Sequence, residues 1–378
     1  HPFYGTLENG WYRIETDSAC THIISILDKQ IGKNLVSGTG KYTVAEFIRE
    51  RLGSNRAQLE HLRLEEFTRT GLERLTCSQV TEGPVWTSVT LSGFAPGCAE
   101  GPVNCEIRLY KPEKKVEFFF SMKKLPVTDP EAVYISFPFE LPGSRFVAEV
   151  AGGVIVPGVD QLDGSSADWL GIQNFVSLRN DSAQIIFVSP EIPLVHPGDI
   201  NLGRFSRRVN PAAPSIYSWV LNNYWTTNFL ASEEGELTWK YQLTSSSDPS
   251  NLFATKFGWG NRIPLLTRVF PARPSRNTGM PQFFSGAGLE PVLLVCMYPA
   301  TDGKGIILHL READGKPARI SVADLLSASG ASRVVEVNVL EENAVAPAQE
   351  KQNTDQSGEF VEMKCFETKF LKLIYRED

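Results

Sequence analysis

Cys105-Glu106-Ile107-Arg108-Leu109 alternates polar and apolar residues, the pattern of a strand in a sheet with one face in water. A little further on, Phe118-Phe119-Phe120 is apolar on both sides and needs cover above and below, which places it between two layers. Outward from this pair, short runs rich in Val, Ile, Phe, Tyr, Trp and Thr recur at roughly 8 to 12 residues, with Gly, Pro, Asn and Asp between them. The clearest predicted strands are 11–15, 23–27, 85–91, 106–110, 116–121, 133–139, 184–188, 215–221, 236–243, 291–297, 305–310, 334–339 and 370–375. Two stretches, 43–52 and 321–327, read as a turn or two of helix, but neither keeps an apolar stripe long enough to cross between parallel strands. The chain is therefore expected to be all-β, with large stacked antiparallel sheets rather than a doubly wound sheet or one small barrel.

The bulk properties agree with an ordinary soluble, folded protein. The 378 residues hold 37 Lys plus Arg against 44 Asp plus Glu, a net charge of −7, and 42% are hydrophobic, so a sizeable core can be buried. With acids and bases interspersed there is no basic face for phosphates, which argues against nucleic acid, and no run of about 18 apolar residues is present to span a membrane. The Pro- and Gly-rich stretch 270–288 breaks the strand pattern for longer than a turn requires, giving a large sandwich over residues 1–280 and a small terminal one over 281–378. Within the latter, 344–358 is polar enough to be read as a mobile excursion. No fixed-period repeat is present.

Motifs that carry chemistry are scarce. The six cysteines Cys20, Cys77, Cys98, Cys105, Cys296 and Cys365 form no C-x-x-C pair. Cys98 and Cys105 flank Ala-Glu-Gly-Pro-Val-Asn, which has the chemistry of a hairpin connection; a local disulfide in an oxidising compartment and two separate reduced thiols are both open. His1, His22, His61, His196 and His309 are isolated from one another, and His196-Pro-Gly-Asp199 is the nearest approach to a metal-binding group, read here as a turn. No G-x-S-x-G elbow is present, and Gly38-Thr39-Gly40-Lys41 lacks the first Gly of a phosphate loop.

Two polar and aromatic clusters remain. The first runs from Val159 through Asp160, Gln161, Asp163, Ser165, Ser166, Asp168 and Trp169 to Gln173 and Asn174. Carboxylates, amides and an indole on a loop are the groups that bind sugar hydroxyls and stack on a pyranose face, and equally those of an acidic surface loop anchored by its Trp. The second is Asn222-Asn223-Tyr224-Trp225-Thr226-Thr227-Asn228-Phe229, entered from the strand Tyr217-Ser218-Trp219-Val220-Leu221. It suits a glycan groove, and it suits a strand bend where Asn side chains satisfy backbone groups.

This second cluster, followed by Gly235-Glu236-Leu237 and Tyr241-Gln242-Leu243, resembles a hallmark stretch in the C-terminal β region of glycoside hydrolase family 38 α-mannosidases. Leu7-Glu8-Asn9-Gly10-Trp11-Tyr12-Arg13-Ile14 and Ile23-Ile24-Ser25-Ile26-Leu27-Asp28-Lys29 look like the family's strand and turn just after its catalytic part. Weaker matches follow in order at Glu82-Gly83-Pro84-Val85, at Val116-Glu117-Phe118-Phe119, through residues 134–139 and 160–169, and at Val339-Leu340-Glu341-Glu342-Asn343. The resemblance implies a large super-sandwich of the galactose mutarotase-like kind followed by a small β-sandwich. It implies a protein that trims mannose from glycans, with an N-terminal barrel as catalytic partner. In the family, that barrel holds one zinc and the nucleophile; neither can be assigned to a residue here, so no catalytic residue, metal ligand or cofactor is expected in this chain. His309 stands where the family's Arg is expected. Asp160, Gln161, Asp168, Trp169, Asn222, Asn223, Tyr224, Trp225 and Asn228 are the residues expected to touch a mannose-containing glycan or the barrel.

Two rivals stand beside this reading. One is a self-sufficient epimerase or polysaccharide lyase on the same architecture, with His196 or His22 as general base. The other is a carbohydrate-binding or scaffold module without a catalytic role.

Overall fold

The computed structural model describes residues 2–38, 40–53, 57–61, 64–224, 230–263, 266, 286–342 and 360–376. The chain forms two compact units, His1–Pro249 and Ser250–Asp378. Both are built almost entirely from antiparallel strands, and no helix among the described residues is long and apolar enough to cross a membrane.

The first unit is a super-sandwich. Its larger sheet runs, in spatial order, Gly153–Ile155, Arg145–Val150, Phe175–Arg179, Gln184–Val188, Gly235–Ser246, Val116–Lys124, Ala99–Tyr110, Trp86–Phe94 and Glu73–Cys77, with Thr81–Glu82 also paired to Trp86–Phe94. The smaller runs Leu170–Gly171, Leu194–Pro197, Ser215–Asn222, Glu131–Pro138, Glu46–Leu52 and Phe67–Thr70. Their facing sides interdigitate: Phe137 of the smaller sheet meets Phe118, Phe187 and Tyr241 of the larger at ring-centroid distances of 5.7, 4.7 and 5.0 Å. A four-stranded sheet, Thr6–Glu8, Tyr12–Thr16, Ile23–Asp28 and Lys33–Asn34, adds Leu7, Tyr12, Ile14 and Ile26 to the same core.

The phenylalanine run divides as a strand must. Phe118 and Phe120 enter the core, while Phe119 points to the other face, where the Arg108 guanidinium covers its ring at 4.8 Å. Side chains rather than another sheet cover that face.

The stretch read as helix at 43–52 is instead the strand Glu46–Leu52, paired on both sides. Its helix-favouring charged residues are held by partners distant in sequence. Arg49 meets Glu131 at 2.6 Å and Glu50 meets Arg69 at 2.6 Å, all four buried or nearly so. Alternation sends Phe47 and Arg49 toward the larger sheet and Ile48 and Glu50 to the outer face. On that outer face Ile48, Tyr134, Trp219 and Tyr217 form a second cluster, covered by Leu59, Ile200, Leu202 and Tyr224, with Trp169 against it.

The hairpin reading of 99–104 is also corrected. Ala99–Tyr110 is one strand with a register shift between Glu100 and Asn104. At roughly 3.3 Å per residue it carries Cys98 and Cys105 well beyond disulfide reach. Both are buried free thiols.

The second unit has a four-stranded sheet, in order Leu293–Pro299, Ile306–Arg311, Thr368–Ile374 and Arg333–Val337, and a pair, Ala318–Ser321 with Phe360–Met363. Leu308, Leu310, Leu371 and Leu373 pack with Ile320, Val361, Met363 and Leu325 between them. The helix expected at 321–327 is Val322–Ser329, capped by Ser321 and closed by Gly330 in the left-handed region. A second helix, Asn251–Arg262, was not expected. Ser250 caps it, and the Asp314 carboxylate accepts from the Asn251 and Leu252 amides, which ties it to this unit. The break by contacts thus falls at Pro249/Ser250 rather than in 270–288, most of which lies outside the described residues, as does 344–358.

Candidate functional site

The 159–169 loop is held partly by its own turn and partly by a second loop. Asp160 accepts from the Val156 amide at 2.6 Å and Gln161 Oε1 from the Gly158 amide at 3.0 Å, so both close the turn they sit on. Gly158 itself has φ +80° and lies so close to the neighbouring chain that a Cβ would stand 2.1 Å from the Val209 carbonyl oxygen, a position only glycine can fill. Asp163 receives Arg207 and Arg208 at 3.1 and 2.9 Å. Asp168 is buried and accepts from the Gly203 and Phe205 amides at 2.7 and 3.1 Å. Loop 159–168 is thereby bound to loop 203–209.

Trp169, half-buried, meets Trp219 edge-on at 5.4 Å. Two depressions share Ser165, Ser166 and Trp169. One, of about 280 Å³, is bounded by Asp168, Phe205 and Arg207; the other, of about 330 Å³, by Gln161, Ile155 and Gly171. These volumes are near the roughly 300 Å³ at which ligand pockets begin. Amide, hydroxyl, carboxylate, guanidinium and indole groups line them, with the Phe205 ring exposed alongside.

The 222–224 cluster is used differently. Asn223 Nδ2 donates to the carbonyls of Val127, Asp129 and Ala231 at 3.0 to 3.1 Å, and its Oδ1 accepts from the Glu131 amide at 2.6 Å. Asn222 Oδ1 accepts from the Tyr224 amide at 3.4 Å. Tyr224 is buried and its hydroxyl donates to Glu50 Oε1 at 2.9 Å. Burial, and then the Glu50 charge, push its phenol far above the usual tyrosine range. Trp225 and Asn228 lie outside the described residues.

Three of the expected site residues, Asp168, Trp169 and Tyr224, therefore converge at the outer face of the smaller sheet, while Asp160 and Gln161 stay on the loop and Asn222 and Asn223 at a strand end. Beneath them lies a polar group of Glu50, Arg69, Tyr134, His196 and Trp219; of these, sequence reading named His196 as a candidate base and missed the partners around it. Glu50 and Arg69 become neighbours by strand register, where they face each other directly. Tyr134 and Trp219 lie within 5.4 and 5.1 Å of the His196 ring, centroid to centroid. Tyr134 Oη, His196 Nε2 and Trp219 Nε1 are buried without a hydrogen-bond partner among the described residues. No local sequence motif signals this group, because its members come from five strands and are joined only by pairing.

His196 Nδ1 accepts from the Asn201 amide at 3.1 Å, which leaves the proton on Nε2. Burial, and then the Arg69 charge, hold the imidazole down to about 3, against the Asp168 backbone and Asp199. Such a ring is a weak acceptor and does not suit a general base. His22 pairs with Asp17 at 3.3 Å and lines a cavity of only about 70 Å³. No group of three or more His, Cys, Asp or Glu side chains suited to a metal occurs among the described residues. The largest concavity described, about 830 Å³ between residues 140–146 and 208–214, is lined mainly by proline, glycine and aliphatic groups with Arg145 and Arg208.

No protein-family model and no curated protein sequence matches this chain. Solved structures do. A glycosyl hydrolase family 38 protein from Enterococcus faecalis aligns with TM-score 0.67 and 12% identity over 99% of this chain and 44% of its own length. An alpha-mannosidase from Enterococcus faecalis V583 aligns with TM-score 0.66 and 13% identity over 99% and 42%. A galactose mutarotase-like protein from Clostridium acetobutylicum aligns with TM-score 0.38 and 9% identity over 64% and 94%. The chain spans less than half the length of the two family 38 structures, and at these identities what it shares with them is the fold.

Proposed function

We propose that this chain serves as the non-catalytic β portion of an α-mannosidase-like glycoside hydrolase, completing the glycan cleft of an N-terminal catalytic barrel that would carry the zinc and the nucleophile. The observation that supports this is the fold likeness to two such proteins along 99% of this chain but well under half of theirs. In this reading Trp169 offers its indole to a sugar face, with Gln161 and Asp168 beside it. Asn222, Asn223 and Tyr224 anchor the stretch that continues into Trp225 and Asn228, which the reading assigns to glycan or barrel contact. The test is hydrolysis of a chromogenic α-mannoside by the 378-residue chain, with added zinc and with a chelator. No turnover under any condition is expected; turnover that the chelator abolishes would overturn the reading.

A second reading, a carbohydrate-binding module, draws on the paired depressions at Trp169. Titration of the chain with a mannose oligosaccharide, followed by Trp fluorescence, separates the two. Binding by this chain alone favours the module, whereas its absence favours a cleft that needs both partners.

A further inference from the structure

The first unit holds four of the six cysteines, and they differ in setting. Cys98 and Cys105 are buried, which closes them to a soluble oxidant and drives both thiols upward, that of Cys98 to about 11. Cys20 and Cys77 are partly exposed free thiols 57 positions apart. Cys20 sits with φ +56° in the turn between strands Tyr12–Thr16 and Ile23–Asp28, its amide bonded to the Asp17 carbonyl at 2.9 Å. Its sulfur is directed at the chain entering the strand Thr6–Glu8, 3.7 Å from where a Cβ on Gly5 would stand. Cys77 ends the strand Glu73–Cys77 at the edge of the larger sheet, opposite Leu91.

The turn and the strand end face each other. Thr21 and His22, next to Cys20, line one small cavity together with Leu75 and Leu91. Strand alternation puts Cys77 on the same side as Leu75. The Cys77 thiol is also raised, first by burial and then by the Cys20 thiol.

We propose that Cys20 and Cys77 are a reversible disulfide site that staples the turn of the four-stranded sheet to the edge strand of the ten-stranded one. The oxidant is a low-molecular-weight disulfide such as oxidised glutathione. The Cys20 thiolate attacks it, forming a mixed disulfide and releasing one glutathione thiolate; the Cys77 thiolate then attacks the Cys20 sulfur and releases the second. Two protein thiols are oxidised, one glutathione disulfide is reduced to two thiols, and the protons lost by the cysteines are taken by the leaving thiolates. The bond would close a loop of nearly sixty residues and hold an exposed sheet edge in place.

The full chain is equilibrated with oxidised and reduced glutathione, alkylated, digested without reduction and read by mass spectrometry, with thermal unfolding in parallel. The expected result is a fall from six free thiols to four, a peptide joined through Cys20 and Cys77, and a Tm higher by about 5 to 15 °C that dithiothreitol reverses. Cys20→Ser and Cys77→Ser each lose the link and the shift, while Cys98→Ser keeps both. Six thiols remaining in the wild-type chain would overturn the proposal. So would glutathione retained on Cys20 or Cys77, or a link mapped elsewhere, such as Cys296 to Cys365.

Discussion

The loop 159–169 and the segment 222–224 contain the same kinds of residue and come to opposite ends. At 222–224 the polar atoms are consumed by the fold: four hydrogen bonds on the Asn223 amide group and the Tyr224 hydroxyl on a buried carboxylate. At 159–169 Asp160 closes its own turn and Asp163 and Asp168 bind loop 203–208, yet Trp169, Gln161 and two serines still border open depressions. The difference lies in what surrounds them. Asn223 sits where the chain leaves the centre of a sheet and meets the backbone of residues 127–131 and of Ala231, so its amide is the partner those groups take. The loop lies outside the sheets and is held by its own turn and by loop 203–209. A cluster of amides and aromatics thus becomes a site only where the backbone does not claim it first.

The largest effect should follow from Glu131, whose amide Asn223 holds and whose carboxylate is shared by Arg49 and Lys124 at 2.6 Å each. Glu131→Ala leaves two buried cations and should cost about 3 to 5 kcal/mol, or roughly 6 to 20 °C in Tm, by thermal denaturation of the first unit. Asn223→Ala should cost about 1 to 3 kcal/mol, since several partly exposed backbone groups lose their partner at once. A change within measurement error would mean that the segment is not the structural clamp described. Tyr224→Phe, which removes a single bond to the buried Glu50, should cost about 1 to 2 kcal/mol by the same assay.

His196 sharpens the comparison through pH. Its folded-state value of about 3 lies below the ordinary 6.5, so as pH falls the unfolded chain takes up the proton first. Its contribution to stability is complete above about pH 6.5 and is lost progressively toward about pH 3, on the order of 1 kcal/mol per pH unit. Urea denaturation at pH 7, 6, 5 and 4 should show that slope, and His196→Asn should flatten it; an unchanged slope would place its origin in other groups. The smallest effect belongs to the loop. Gln161→Ala should change stability by less than about 1 kcal/mol, because its one local bond is partly open to water. On the proposed function the same variant weakens glycan affinity, and a large loss of Tm instead would assign Gln161 to the fold.

Much of the architecture could be read from residues alone. The alternation at 105–109 and the triple phenylalanine are local consequences of a pleated, half-buried strand, and the paired sheets behave accordingly. The helix after Ser321 was visible through its serine cap. The other helix was not, because Asn251–Arg262 contains two glycines and little apolar periodicity; it stands because Ser250 and Asp314 supply its first amides with acceptors. The strand Glu46–Leu52 was misread because Glu and Arg favour helices, and what overrides that preference is pairing with Glu131 and Arg69. His196 could be singled out in the sequence as an isolated histidine, whereas the Glu50, Arg69 and Tyr134 side chains that gather near it could not.

By itself, then, the sequence determined the period-two pattern, hence an all-β chain of stacked antiparallel sheets. Only the tertiary structure decided which charged residues are buried, and that the Asn222 and Asn223 side chains are taken up by the backbone. The reason is physical. Periodicity records how each residue divides between core and water within one strand, and that is local. Whether a buried Arg49, Glu50 or Asn223 is stable depends on partners brought to it by the register of strands many residues away.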